Sequence, residues 1–346
     1  LRPKLLGGEV PSSPLLFLLY RRYKMGVSSY PNGWKNGVVI KGVPIEIPNP
    51  GKVFWVNNSG VLPAGGIGGS DSNDGTYLRP FSTIDAAIGK CTANRGDVIY
   101  VMPGHVETLT AASDVDFDVA GVRCIGLGHG SKMARFDYTN AAGDVTIDAN
   151  DVAIINTNFH ANVTSITIGL SVLAGATDSL VQDCLFDVET TTTDEFLIGI
   201  NYGVGCDGFK VINTKMDMGL GGAATGIKLV GATAGGDIKG CTIVGDYSQA
   251  NIAGITTAST EIYVDDCILL QGGPGGVGTV EVMEMLTGTT GVVRRCHSLA
   301  NVATIAAHHV ADTMAFFEKY ATEDVGQATG ATLRTAASSV TASADD

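Results

Sequence analysis

"SLVQDCLFDV" (residues 179–188) has close counterparts before and after it: "VAIINTNFHA" from Val152, "FKVINTKMDM" from Phe209, "GDIKGCTIVG" from Gly236, "IYVDDCILLQ" from Ile262 and "GVVRRCHSLA" from Gly291. One position, common to all six, holds Thr157, Cys184, Thr214, Cys241, Cys267 and Cys296, spaced 27, 30, 27, 26 and 29 residues apart. On either side of it apolar residues alternate, as in Phe209/Val211 and Ile262/Val264 before it and Phe159, Phe186, Met216, Ile243 and Leu269 after it. Period two means strands with one buried face. A unit of about 28 residues cannot bury that face alone, whereas stacked units share a continuous core.

A second short strand precedes five of these segments: "IGLSVLAG", "IGINYGVG", "TGIKLVGA", "AGITTAST" and "VEVMEMLTG". Each repeat then reads as strand, turn, strand, tight corner, strand, loop. These features predict an all-β fold, a right-handed single-stranded parallel β-helix, with an antiparallel sandwich as the runner-up. Thr157, Cys184, Thr214, Cys241, Cys267 and Cys296 are expected to form a structural ladder, because small side chains stack at tight corners and free cysteine behaves as a small buried hydrophobe.

Composition agrees with this. Apolar residues are 45% and charged residues 16% of 346, and the 46 glycines have no collagen-like period. The net charge of −13 argues against a nucleic-acid partner, which calls for a basic stripe. The apolar run at 14–20 is too short to span a membrane. Seven cysteines without a CxxC pair suggest neither a disulfide scaffold nor a zinc site. No cofactor is called for.

Four regions are expected: a basic segment 1–24, which would be read-through or processed if Met25 is the start; an extended Pro/Gly-rich arm 25–51; the β-helix 52–300; and a C-terminal helix with a polar tail, 301–346. In "PFSTIDAAIGKC", Phe81, Ile84, Ala87 and Ile88 fall on one helical face behind Ser82 as N-cap, which predicts a short helix capping the open barrel end. "ADTMAFFEKY" is read as the C-terminal helix.

"GGSDSNDGTYLRPFSTIDAAI…GDVIYVMPGHVET" resembles the N-terminal entry of the pectate-lyase-like β-helix superfamily. That resemblance implies the fold over residues 52 to about 300 and leaves activity open, since the superfamily holds lyases, hydrolases, tailspikes and inert structural proteins. "SSYPNGWKNGVVIKGVPI…PGKVFWV" resembles tailed-phage virion proteins of this fold. This second resemblance implies a non-enzymatic virion component (head or tail decoration, fibre or spike), partnered with other virion proteins and with itself as a homo-oligomer such as a trimer. The competing class is a polysaccharide-degrading hydrolase or lyase, such as a tailspike depolymerase, with a glycan as partner; a secreted surface adhesin is a third.

For chemistry, the third residue beyond the corner is His160, Asp187 and Asp217 on three successive rungs, projecting outward in one column. Carboxylates on neighbouring rungs about 4.8 Å apart suit the pair of a retaining glycosidase, or Ca²⁺; solvated polar residues are the plain alternative. Asp71, Asn73 and Asp74 of "SDSNDG" are candidate Ca²⁺ ligands against a simple turn. Arg294-Arg295 beside Asp265-Asp266 suggests cross-rung ion pairs, and His105 and Glu107 read as structural.

Overall fold

The computed structural model describes residues 51–300 apart from 191–192, 220–221, 255 and 273–281, together with the strands Val38–Ile40, Val43–Ile45, His309–Val310 and Ala315–Phe317. The chain divides into two units, Leu1–Pro48 and Asn49–Asp346. In the first, Val38–Ile40 and Val43–Ile45 pair antiparallel. The segment 1–24 lies outside the described residues, as does most of the arm 25–51.

The second unit is a parallel β-solenoid. Each circuit of the chain gives one strand to each of three sheets, as in Ala153–Ile155, Thr157–Ala161 and Leu170–Val172, then Leu180–Gln182, Leu185–Val188 and Ile198–Tyr202. Sheet I has ten strands, sheets II and III eight each. Pairing between successive circuits is parallel, which excludes the antiparallel sandwich. The six aligned segments pair in the register that their alignment predicts: Ile154, Val181, Val211, Ile238, Val264 and Val293 are successive partners, each fully buried.

The tight corner joins sheet I to sheet II, and its bend lies one residue before the Thr/Cys position. Asn156, Asp183, Asn213, Gly240, Asp266 and Arg295 have φ of 55°, 53°, 49°, 65°, 55° and 51°. Gly, Asn and Asp tolerate this left-handed region best. The bend keeps the ladder intact: the Asp183 and Asn213 amides donate to Ile212 and Lys239 carbonyls on the next rung, at 3.0 and 2.8 Å. The next residue then turns inward. Cys184, Cys241, Cys267 and Cys296 are buried free thiols, and each Sγ donates to a carbonyl of the rung before, at 3.5, 3.3, 3.6 and 3.7 Å. Thr157 Oγ1 lies 3.6 Å from Cys184 Sγ, and Thr214 Oγ1 donates to Ile212 O.

Inside sheet II, Phe136, Phe159, Phe186, Met216, Ile243 and Leu269 form one buried column. The Phe159 and Phe186 rings stack 4.4 Å apart at 3°. Burying such side chains contributes about 1.5–3 kcal/mol each.

The helix near the start of the solenoid is Ile84–Ile88, against the strands Val53–Val56, Val98–Val101 and Val115–Phe117. Its N-cap is Thr83, whose Oγ1 accepts from Ala86 N at 3.2 Å, and not Ser82 as expected. Ser82 is held by Asp71, whose Oδ1 accepts from the Ser82 amide, the Ser82 hydroxyl and the Thr83 amide. Glu107 completes the helix start by accepting from Ile84 N at 3.0 Å, while its Oε2 lies 2.8 Å from His105 Nε2. His105 Nδ1 accepts from Asn58 N, so Nε2 carries the proton. Both residues are buried, in the structural role expected of them.

A C-terminal helix is not what the described residues of "ADTMAFFEKY" form. Ala315–Phe317 is a strand paired in parallel with Gly291–Arg294, and His309–Val310 pairs with Met283–Met285. An open sheet edge offers unpaired backbone groups, and this overrides a weak helical period. The rest of the expected helix and tail lies outside the described residues.

Candidate functional site

The alternation that buries Phe159 and Phe186 turns their neighbours out onto the face of sheet II. His160 is the register partner of Asp187 and of Asp137, and Asn158 is the partner of Arg135. Asp217 continues the column, because Phe186 and Met216 are partners, and Val244 after it ends the polar run. The structure therefore places His160, Asp187 and Asp217 on three successive rungs of one face, with Asp137 on the rung before.

These side chains are not equally engaged. His160 is 6% exposed, with Nδ1 2.6 Å from Asp187 Oδ1 and Nε2 3.1 Å from Glu189 Oε2. With both nitrogens against carboxylates, the protonated ring donates twice. The hydrogen bond to Asp187 raises the His160 pKa above its ordinary value, against the opposing effect of burial. Asn158 Nδ2 donates to Asp187 Oδ2 at 3.2 Å, and Arg135 lies 3.6 Å from Asp137 Oδ2. Asp187 is thus oriented from two sides, its side chain 32% exposed, while Glu189's is 61% exposed.

Arg135, Asp137, Asn158 and Glu189 did not emerge from the sequence. Arg135 and Asp137 belong to a rung whose corner is widened by residues 127–133, which include the 3₁₀ turn Gly130–Lys132, so it does not superimpose on the six segments. Asn158 and Glu189 lie two residues from His160 and Asp187, and period two was the signal that could have found them.

The other candidates are bound within the fold. Asp71 holds Ser82 and Thr83, Asn73 Nδ2 donates to Gly68 and Pro80 carbonyls, and Asp74 Oδ1 accepts from the Thr76 hydroxyl. "SDSNDG" is a turn stitched to the helix start, and among the described residues no cluster of three or more His, Cys, Asp or Glu is arranged to hold a metal. The cross-rung ion pairs form on buried Asp265, which Arg294 and Arg295 reach at 3.0 and 2.5 Å.

No family model matches the chain, and no curated protein matches it in sequence. Among solved structures it is similar to a rhamnogalacturonan lyase, with a TM-score of 0.52 and 15% identity over 77% of this chain and 73% of that one. Such a likeness shows the fold, a parallel β-helix, in agreement with the solenoid described above. It also corrects the expectation of a non-enzymatic virion component. The structure found alike in fold carries the name of a rhamnogalacturonan lyase, and none of the comparisons supports the phage resemblance.

Proposed function

We propose that this protein cleaves a polysaccharide on the outer face of sheet II. The observation that carries the reading is the His160 imidazole held between Asp187 and Glu189 beside Asp217 on the next rung. Rungs about 4.8 Å apart bring neighbouring carboxylates near the ~5–5.5 Å separation of a retaining glycosidase. In that step Asp187 attacks the anomeric carbon as the glycosidic C–O bond breaks and Asp217 protonates the leaving oxygen. Water, giving its proton to Asp217, then releases the sugar from Asp187, so the net change is addition of one water. Elimination is the second reading, favoured by the fold neighbour's being a lyase.

The same reading takes the solenoid as right-handed, since crossovers between parallel strands of one sheet are almost always so. It also takes Ile84–Ile88 as the lid of its first rung, protecting the core from solvent and the edges from association.

The test is product analysis on a polysaccharide panel that includes rhamnogalacturonan. New reducing ends without unsaturation identify hydrolysis, and unsaturated ends identify elimination. Neither product from any polymer would count against the reading.

A further inference from the structure

Three polar atoms of the cluster are buried and, among the described residues, have no hydrogen-bond partner: Arg135 Nε, Asp137 Oδ1 and Asn158 Oδ1. They are not scattered. Arg135 and Asn158 are register partners on adjacent rungs, and Asp137 pairs with His160 in the next outward column. Leaving such atoms unmade costs about 1–3 kcal/mol each, more for charged groups. Three on one patch need an explanation.

We propose that these atoms, on the two rungs before Asp187, form a subsite for a neutral, hydroxyl-bearing sugar, so that the substrate is a neutral polysaccharide and not a polyuronate. This inference rests on the reading of sheet II as a polysaccharide site. Two of the three atoms are acceptors and one is a donor. Sugar hydroxyls donate to Asp137 Oδ1 and Asn158 Oδ1, and one accepts from Arg135 Nε. A uronate would set its carboxylate against two acceptor oxygens.

Charge points the same way. The face carries Asp137, Asp187, Glu189 and Asp217 against Arg135, Lys215 and charged His160. His160 is committed to Asp187 and Glu189, Arg135 leans on Asp137, and Lys215 lies on the rung beyond Asp187. Elimination next to a uronate carboxylate needs cations to spare at that carboxylate, and the cation at the open atoms, Arg135, already faces Asp137. The protein as a whole is at −13, which repels a polyanion further. Glu189, bonded to His160 and with its side chain 61% exposed, borders the subsite.

The experiment measures binding and cleavage separately on the full chain, using amylose, dextran, laminarin, xylan, mannan and polygalacturonate as probes. Asp217→Asn is used for binding so that turnover does not consume the probe. At least one neutral probe is expected to bind and polygalacturonate not to. Asp137→Asn and Asn158→Ala each weaken that binding about tenfold or more, with thermal unfolding unchanged within a few degrees. Arg135→Lys weakens it as much as Arg135→Met does, because either change removes the Nε–H donor.

Binding and cleavage of polygalacturonate instead would overturn the neutral-sugar inference while leaving the polysaccharide reading in place. So would a neutral ligand whose affinity is indifferent to Asp137→Asn and Asn158→Ala. Neither binding nor cleavage of any probe sinks both.

Discussion

His160 and Asp187 are register partners on adjacent rungs of sheet II, and the imidazole Nδ1 lies 2.6 Å from the carboxylate Oδ1. A parallel ladder brings equivalent positions of successive rungs to one place, so two residues 27 apart in sequence meet as neighbours.

That pair predicts a pH dependence. The His160 pKa is raised in the folded protein by its hydrogen bond to Asp187. A basic group with a raised folded pKa stabilises fully below its unfolded value, 6.5 here, and the contribution is lost as pH rises through the folded pKa. The Tm is therefore expected to decline from about pH 6.5 upward. In His160→Gln the decline over that window is smaller. Parallel wild-type and variant curves would remove His160 as its source.

Asp144 predicts the opposite sign. Burial, and after it Asp116 and Asp114, raise its pKa above 3.8, and its Oδ1 is buried without a partner among the described residues. A carboxyl with a raised folded pKa favours folding while protonated and costs stability once pH passes that value. Asp144→Asn should raise the Tm by about 1–2 °C at neutral pH, a figure kept small for solvent screening, with no gain near pH 3. Scanning calorimetry at the two pH values decides it.

At the corner, threonine already occupies the ladder position at Thr157 and Thr214, and Thr214 Oγ1 donates to the carbonyl two residues back, as the Cys241 thiol does. Cys241→Thr should therefore cost less than about 1.5 kcal/mol by denaturant unfolding, and Cys241→Leu about 1–3 kcal/mol through overpacking of a 1%-exposed site. Equal costs would mean that the ladder does not select small side chains.

Much of the solenoid was legible because its repeat is a physical one. The alignment at Thr157, Cys184 and their counterparts is the strand register, since each shared core column demands the same residue class every circuit. The bend itself was placed one residue late. Asn156, Asp183, Asn213, Gly240, Asp266 and Arg295 vary in type while sharing a backbone conformation, whereas the Thr/Cys column repeats visibly. Ser82 and Thr83 are both good caps by type, and Asp71, eleven residues upstream of Ser82, decides between them. His160 and Asp187 were legible from alternation. Arg135 and Asp137 were hidden by residues 127–133, which widen the corner of their rung and shift it out of the repeat. Phe317 fits a helical spacing within "ADTMAFFEKY", and the edge of Gly291–Arg294 pairs Ala315–Phe317 as a strand instead.

The most direct test of the central claim, that the outer face of sheet II cleaves a polysaccharide, is the initial rate of Asp187→Asn. It is read on the polymer that the wild type cleaves best, beside Lys210→Ala on sheet I. The account predicts a fall in kcat of about 10²–10⁴ for Asp187→Asn at unchanged Tm, and wild-type rates for Lys210→Ala. A folded Asp187→Asn protein within about twofold of the wild type would contradict it.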